Sequence, residues 1–98
     1  MREYEVTLIV QPQLEETPRN ELIERVNGWL TFGEDEADKP VAKHWGRRRL
    51  AYPIKKFTEG YYLHYEAKLD PSQISDLERN FQYADDILRY LVVHKIGS

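Results

Sequence analysis

The 98-residue sequence contains no cysteine. Disulfides, thiolate zinc sites and a cysteine nucleophile are therefore excluded. No apolar run approaches the roughly 20 residues that a membrane-spanning helix needs. A Gly-rich phosphate loop, a serine nucleophile elbow and a zincin motif are all missing. The start, Met1-Arg2-Glu3-Tyr4-Glu5, lacks the basic-then-apolar pattern of a secretory signal and is expected to lead directly into structure. A chain of this length buries only about two-thirds of the surface its unfolded form exposes. That suffices for one sheet with helices on one side, but not for a deep enclosed active site. One domain over residues 1–98 is expected.

The charge that is present is unevenly spread. The formal net charge is −3. Between Lys39 and Thr58 stand Lys39, Lys43, Arg47, Arg48, Arg49, Lys55 and Lys56, with no Asp or Glu. The rest of the chain sets 7 basic residues against 17 acidic ones, a balance of −10. A basic segment on an acidic body can be an electrostatic footprint for phosphate. Charge alone fits equally well a solvated strand pair whose charges only discourage edge-to-edge association.

Periodicity outlines the elements. Tyr4, Val6, Leu8 and Val10 alternate with Glu3, Glu5, Thr7 and Ile9, which predicts a strand with the even residues inward. A helix follows, with Thr17 as N-cap, Pro18 at its first position and Leu22, Ile23, Val26, Trp29 and Leu30 on one face. Gly28 weakens this helix, and Gly33 is placed at its C-terminal cap. A second strand is expected from Val41 towards Leu50, bent at Gly46 and stopped or forced to an edge by Tyr52-Pro53. After a turn from Lys55 to Gly60, a third strand runs from Tyr61 to Leu69. Its Tyr61, Leu63, Tyr65 and Ala67 share one face, and Tyr62, His64, Glu66 and Lys68 the other. Asp70-Pro71-Ser72-Gln73 reads as a cap and capping box opening a second helix, with Ile74, Leu77 and Phe81 as its buried stripe. The last strand is Ile87 to Lys95. The order strand, helix, strand, strand, helix, strand is the ferredoxin-like split βαβ arrangement, α+β in class. Right-handed crossovers would place both helices on one face of a four-stranded antiparallel sheet and leave the other face open.

No constellation carries catalysis. His44, His64 and His94 fall on three different strands without metal-ligand spacing, so they read as ordinary strand histidines. The contiguous carboxylates from Glu34 to Asp38 read as a surface loop, not a cation site. Acylphosphatases are similar in strand order and hold phosphate in a Gly-containing loop with an Arg after the first strand, but here that loop is Gln11-Pro12-Gln13-Leu14. RNA-recognition-motif domains share the order too. Glu59-Gly60-Tyr61-Tyr62-Leu63-His64-Tyr65 has their glycine and aromatics, but Glu59 stands where their basic residue belongs. No cofactor, metal, small-molecule substrate or membrane is implied. Of the seven tyrosines, Tyr4, Tyr61 and Tyr65 fall at core positions. Tyr52 and Tyr62 are left for other work, since an aromatic ring beside arginines can stack on a base while the guanidinium groups take phosphates.

Trp45-Gly46-Arg47-Arg48-Arg49-Leu50-Ala51-Tyr52-Pro53-Ile54, followed by Lys55 and Lys56, resembles the signature of the bacterial small-subunit ribosomal protein S-six family. The start at Arg2, Tyr4 and Glu5, the Gly60-Tyr61 pair and Arg89 in the Leu-Arg-x-Leu-Val-Val stretch fit as well, so the resemblance spans Met1 to about Lys95. It implies a ferredoxin-like RNA-binding protein of the cytoplasmic ribosome. In that family the protein sits on the small-subunit platform and binds the central domain of the small-subunit RNA as a heterodimer with ribosomal protein S-eighteen. The role is assembly, not catalysis, and some members also bind their own messenger RNA.

Carried over by position, Arg2, Arg47, Arg48, Arg49, Tyr52 and Arg89 are the RNA-contacting candidates, with Lys55 and Lys56 adding non-specific attraction. Arginine suits this role because its planar fork grips a phosphate in two places. Alternation should turn at least one of the three consecutive arginines away from RNA. Many members have a C-terminal tail that holds the partner. The sequence here stops at Ile96-Gly97-Ser98, which implies a weaker hold on the partner or a shortened chain. The acidic loop is slightly longer than in the family and is expected to face away from RNA. The alternative is a ferredoxin-like protein–protein or small-ligand regulatory module that self-associates through its open sheet, without RNA binding.

Overall fold

The computed structural model describes residues 1–33, 35 and 39–95. The acidic stretch, save Asp35, and the end at 96–98 lie outside the described residues, and with them the expectations placed there. The elements are β1 (Arg2–Val10), α1 (Glu16–Trp29), β2 (Val41–Ile54), β3 (Phe57–Leu69), α2 (Ile74–Tyr83) and β4 (Ile87–His94). The strands form one antiparallel sheet in the order β2-β3-β1-β4, so β2 and β4 are its edges. This is the expected split βαβ fold.

The period-two pattern holds through the two central strands. Val6 pairs Tyr65 and Leu8 pairs Leu63, all four fully buried against the helices. Leu22, Ile23 and Val26 of α1 and Leu77 and Phe81 of α2 close over them, and Trp29 meets Phe81 edge-on with ring centroids 6.0 Å apart. Each fully buried large apolar side chain stabilises the fold by about 1.5–3 kcal/mol relative to exposure, which makes this layer the main source of stability.

Several local expectations are corrected. α1 begins at Glu16, with Glu15 at the N-cap, so Thr17 and Pro18 lie inside the first turn. Pro18 is tolerated there because the first four N–H groups of a helix have no helical acceptor. α1 ends at Trp29 with Leu30 as its cap, not at Gly33; Thr31 Oγ1 donates to the Asn27 carbonyl at 2.6 Å and covers the last turn. The Asp70 carboxylate accepts from the Ser72 N–H (3.0 Å) and hydroxyl (2.8 Å), opening a short 3-10 turn, Pro71–Gln73, before α2. Gln73 is the N-cap of α2, and its side chain makes no capping bond, so the capping box does not form. The Ser72 hydroxyl and N–H also hold the Asp70 carboxyl below its ordinary pKa.

The largest correction concerns the second and third strands. β2 does not stop at Tyr52-Pro53 but runs to Ile54, and β3 starts at Phe57, not Tyr61. Only Lys55 and Lys56 form the turn, with φ of 48° and 72°. Two consecutive positive-φ residues make the tight hairpin whose twist matches its strands. The usual Asn-Gly signal is missing, so the turn could not be read from residue type. Pro53 fits because β2 is an edge strand.

Candidate nucleic-acid interface

Among the described residues, no helix covers the second side of the sheet. That side presents Thr7 and Ile9 of β1, Tyr62 and His64 of β3, and Arg89, Leu91 and Val93 of β4. Which residues of β2 join them depends on two irregularities in its pairing.

The first is a bulge at Trp45. His44 pairs Leu63 and Gly46 pairs Tyr62, so β2 spends two steps where β3 spends one. Before the bulge the odd residues Val41 and Lys43 face outward, opposite Glu66 and His64. After it the even ones do, opposite Tyr62 and Gly60. Gly46 has φ +82°, and a Cβ built on it would have nothing within 4 Å. Glycine is needed there for its backbone conformation, not for space.

The bulge therefore sorts the three arginines. Arg48 faces outward, with its guanidinium carbon 5.5 Å from the centre of the Trp45 ring. Arg47 falls on the helix side, where its Nη2 donates to the Pro12 carbonyl at 2.9 Å and its Nε lies 3.4 Å from a Glu59 carboxylate oxygen. Arg49, opposite Glu59, shares that phase and is exposed. One arginine of the run is thus tied to protein, as alternation required.

The second irregularity lies between Arg49 and Ile54, where β2 carries extra residues relative to β3. This stretch folds inward over the open face. Leu50 becomes buried against the Gly60 position, and a Cβ on Gly60 would be driven into the Ile9 Cγ2 methyl and lie 3.4 Å from Leu50 Cδ2. Here the glycine is needed for space. Two residues on, Tyr52 reaches Arg89 of β4: the guanidinium lies 5.6 Å from the Tyr52 ring centre, and Arg89 Nη1 donates to the phenol oxygen. Lys55 and Lys56 stand exposed at the hairpin tip.

The structure thus gathers Arg48, Tyr52 and Arg89 on one face, with Lys55 and Lys56 at its end. It does not bring Arg2 to them. Arg2 pairs Leu69 at the far end of β1, roughly 23 Å along the strand from Ile9. Outward residues outside the candidate set include Lys43, Trp45, Tyr62 and His64. His64 stacks flat on Trp45, with ring centroids 4.9 Å apart and planes 5° from parallel, and its Nδ1 lies 3.1 Å from Thr7 Oγ1. A Trp-Gly pair inside a strand was the available signal, since a bulge there returns Trp and the residue three further on to the same face.

What this face can do follows from its groups. Guanidinium and ammonium groups bind phosphate, and aromatic rings accept bases or riboses. Among the described residues no cluster of His, Cys, Asp or Glu is arranged to hold a metal, and no helix is long and apolar enough to cross a membrane.

Comparison with known proteins identifies the family. The sequence model of the family described as ribosomal protein S6 matches residues 3–94. The chain is 42% identical over 92 residues to the small ribosomal subunit protein bS6 of Halalkalibacterium halodurans, covering 94% of this chain and 95% of that protein. It is 40% identical over 92 residues to the protein of the same name from Gloeothece citriformis, of whose length the match spans only 51%, with 94% of this chain covered. The backbone superposes on the crystal structure of 30S ribosomal protein S6 from Thermotoga maritima with a TM-score of 0.82 at 30% identity, covering 96% of this chain and 87% of that one.

Proposed function

The chain belongs to the ribosomal protein S6 family, structural proteins of the small ribosomal subunit and not enzymes, and from that premise we propose that it binds the central domain of the small-subunit RNA together with ribosomal protein S-eighteen, helping the platform assemble in the cytoplasmic ribosome. The observation that carries the reading is the pair of irregularities in β2: the bulge at Trp45 turns Arg48 onto the open sheet face, and the fold-over beyond Arg49 brings Tyr52 to Arg89 there, with Lys55 and Lys56 at the tip. Arg48, Arg89 and the two lysines take phosphates on the open face, and Arg49, exposed on the other side of edge strand β2, takes one at its rim. Tyr52 orients Arg89 and offers its ring to a ribose. Arg47 holds the β1–α1 loop through Pro12 and contributes its remaining N–H groups. Arg2 makes a separate contact at the other end of the sheet.

A protein partner has a reason to bind here too. β4 is an open edge, and Leu91 and Val93 on it are 60% and 43% exposed. Covering them removes apolar surface from water and pairs free backbone groups.

The test is binding to a central-domain RNA fragment, with and without S-eighteen, across salt. Weak binding alone and tight binding with the partner are expected. Affinity should fall steeply between about 50 and 200 mM salt, because each neutralised phosphate releases counterions. Joint replacement of Arg47, Arg48 and Arg49 by Ala should abolish most of it. Salt-insensitive binding, or binding untouched by that replacement, overturns the reading.

A further inference from the structure

We propose that Trp45 is a base-stacking site: one unpaired nucleobase of the bound RNA lies on its indole, and Arg48 holds the adjoining phosphate. The inference rests on the RNA-binding reading above and names a contact within it.

Three observations carry it. The indole is 42% exposed, on the side of the sheet that no helix covers. Burial does not account for it, because no helix packs on that side. It is also held in place beforehand. His64 lies flat against it at 4.9 Å, His64 is tethered through Nδ1 to Thr7 Oγ1 at 3.1 Å, and the bulge at Gly46 sets the backbone. A ring already fixed in one orientation loses little freedom when a ligand stacks on it. Finally, the charge around it suits a polyanion. Arg48 lies 5.5 Å from the ring centre, Lys43 faces outward on the same strand, and Glu66, the next outward carboxylate on β3 beyond His64, is ion-paired with Lys95 at 3.9 Å.

An aromatic side chain of a protein could also stack on an exposed indole. The positive surroundings favour the nucleobase, since a base arrives with a phosphate on either side. Stacking tolerates any base, because every base has a π-face, whereas Arg48 acts through charge.

The experiment measures affinity for the central-domain RNA fragment, in the presence of S-eighteen, for the wild-type protein and for Trp45→Leu, Trp45→Phe and Arg48→Ala. Trp45→Leu should weaken binding by about 5- to 150-fold, the range one base–aromatic stack carries, with the salt dependence unchanged. Trp45→Phe should recover most of the loss, because it keeps a π-face. Arg48→Ala should instead reduce the salt slope by about one phosphate contact. Wild-type fluorescence should be quenched at RNA saturation, and the Trp45→Phe protein, which keeps only Trp29, should lose that quenching.

If Trp45→Leu binds RNA as tightly as wild type while the triple arginine replacement loses binding, the stacking site is refuted and the RNA-binding function stands. If neither loses binding, both fail. If Trp45→Leu weakens only the capture of S-eighteen, the indole serves a protein contact and the proposal is wrong.

Discussion

Tyr65 is fully buried on the helix side of the sheet, yet its hydroxyl finds no hydrogen-bonding partner among the described residues. Burial pushes the phenol up to about 12 from 10.0. The folded state therefore holds this proton more tightly than the unfolded chain does. The stability this represents is complete below pH 10 and is lost as pH rises from 10 towards 12, a difference of about 3 kcal/mol once both states ionise. Tyr65→Phe removes an unpaired buried hydroxyl and should raise stability by about 1 kcal/mol at pH 7 in urea unfolding. It should also lose that part of the alkaline destabilisation between pH 10 and 12 which the wild type shows. A second residue makes the opposite case. Gly60 has no room for a Cβ because the Ile9 Cγ2 methyl occupies it. Gly60→Ala should cost about 1–3 kcal/mol, the usual penalty of overpacking, and shift the urea midpoint without changing the slope. Tyr65 was legible as a core position from alternation alone. The demand on Gly60 was not, because the Ile9 methyl that fills its space comes from β1, which meets β3 only in the folded sheet.

The hairpin joining β2 to β3 is the element most at odds with its own residues. Lys55 and Lys56 both hold positive φ, a conformation that costs a residue with a side chain roughly 1–2 kcal/mol. Replacing the pair with Asn-Gly, as Lys55→Asn and Lys56→Gly, should stabilise the protein by about 1 kcal/mol in thermal or urea unfolding. If the lysines attract phosphate as proposed, the same variant should bind RNA more weakly and with a shallower salt dependence. A gain in stability with unchanged RNA affinity would separate the two roles and remove the lysines from the interface. The strand boundaries were misread here for a physical reason. Residue type signals a tight turn only when it supplies the glycine or asparagine that positive φ favours, and in this hairpin tertiary pairing holds lysines there instead.

At the scale of the molecule, basic residues gather towards the β2–β3 hairpin end of the open face, Glu5 and Glu66 lie further along that face, and other carboxylates stand on the helix layer. Glu21 and Glu24 are exposed on the outer side of α1, at least one helix diameter of about 10–12 Å from the open sheet face. The screening length at physiological salt is about 8 Å, so these carboxylates should hardly oppose RNA binding there. Glu21→Gln with Glu24→Gln should change RNA affinity less than about 2-fold at 150 mM salt and more at 10 mM, where screening reaches about 30 Å. An equal effect at both salts would mean that RNA approaches the helices rather than the sheet.

The sequence by itself determined the order of the elements, the side of each central strand that is buried and the location of the basic segment. Those properties follow from local periodicity and composition, which need no knowledge of a neighbouring strand. Only the tertiary structure decided which arginine faces where. Arg47, Arg48 and Arg49 are adjacent and chemically alike, and their directions depend on the phase of β2. That phase is set by an unpaired residue at Trp45, and a bulge exists only in relation to the strand it pairs with. The meeting of Tyr52 with Arg89, 37 residues apart, is likewise a product of β2 crossing the open face. No spacing along the chain records it.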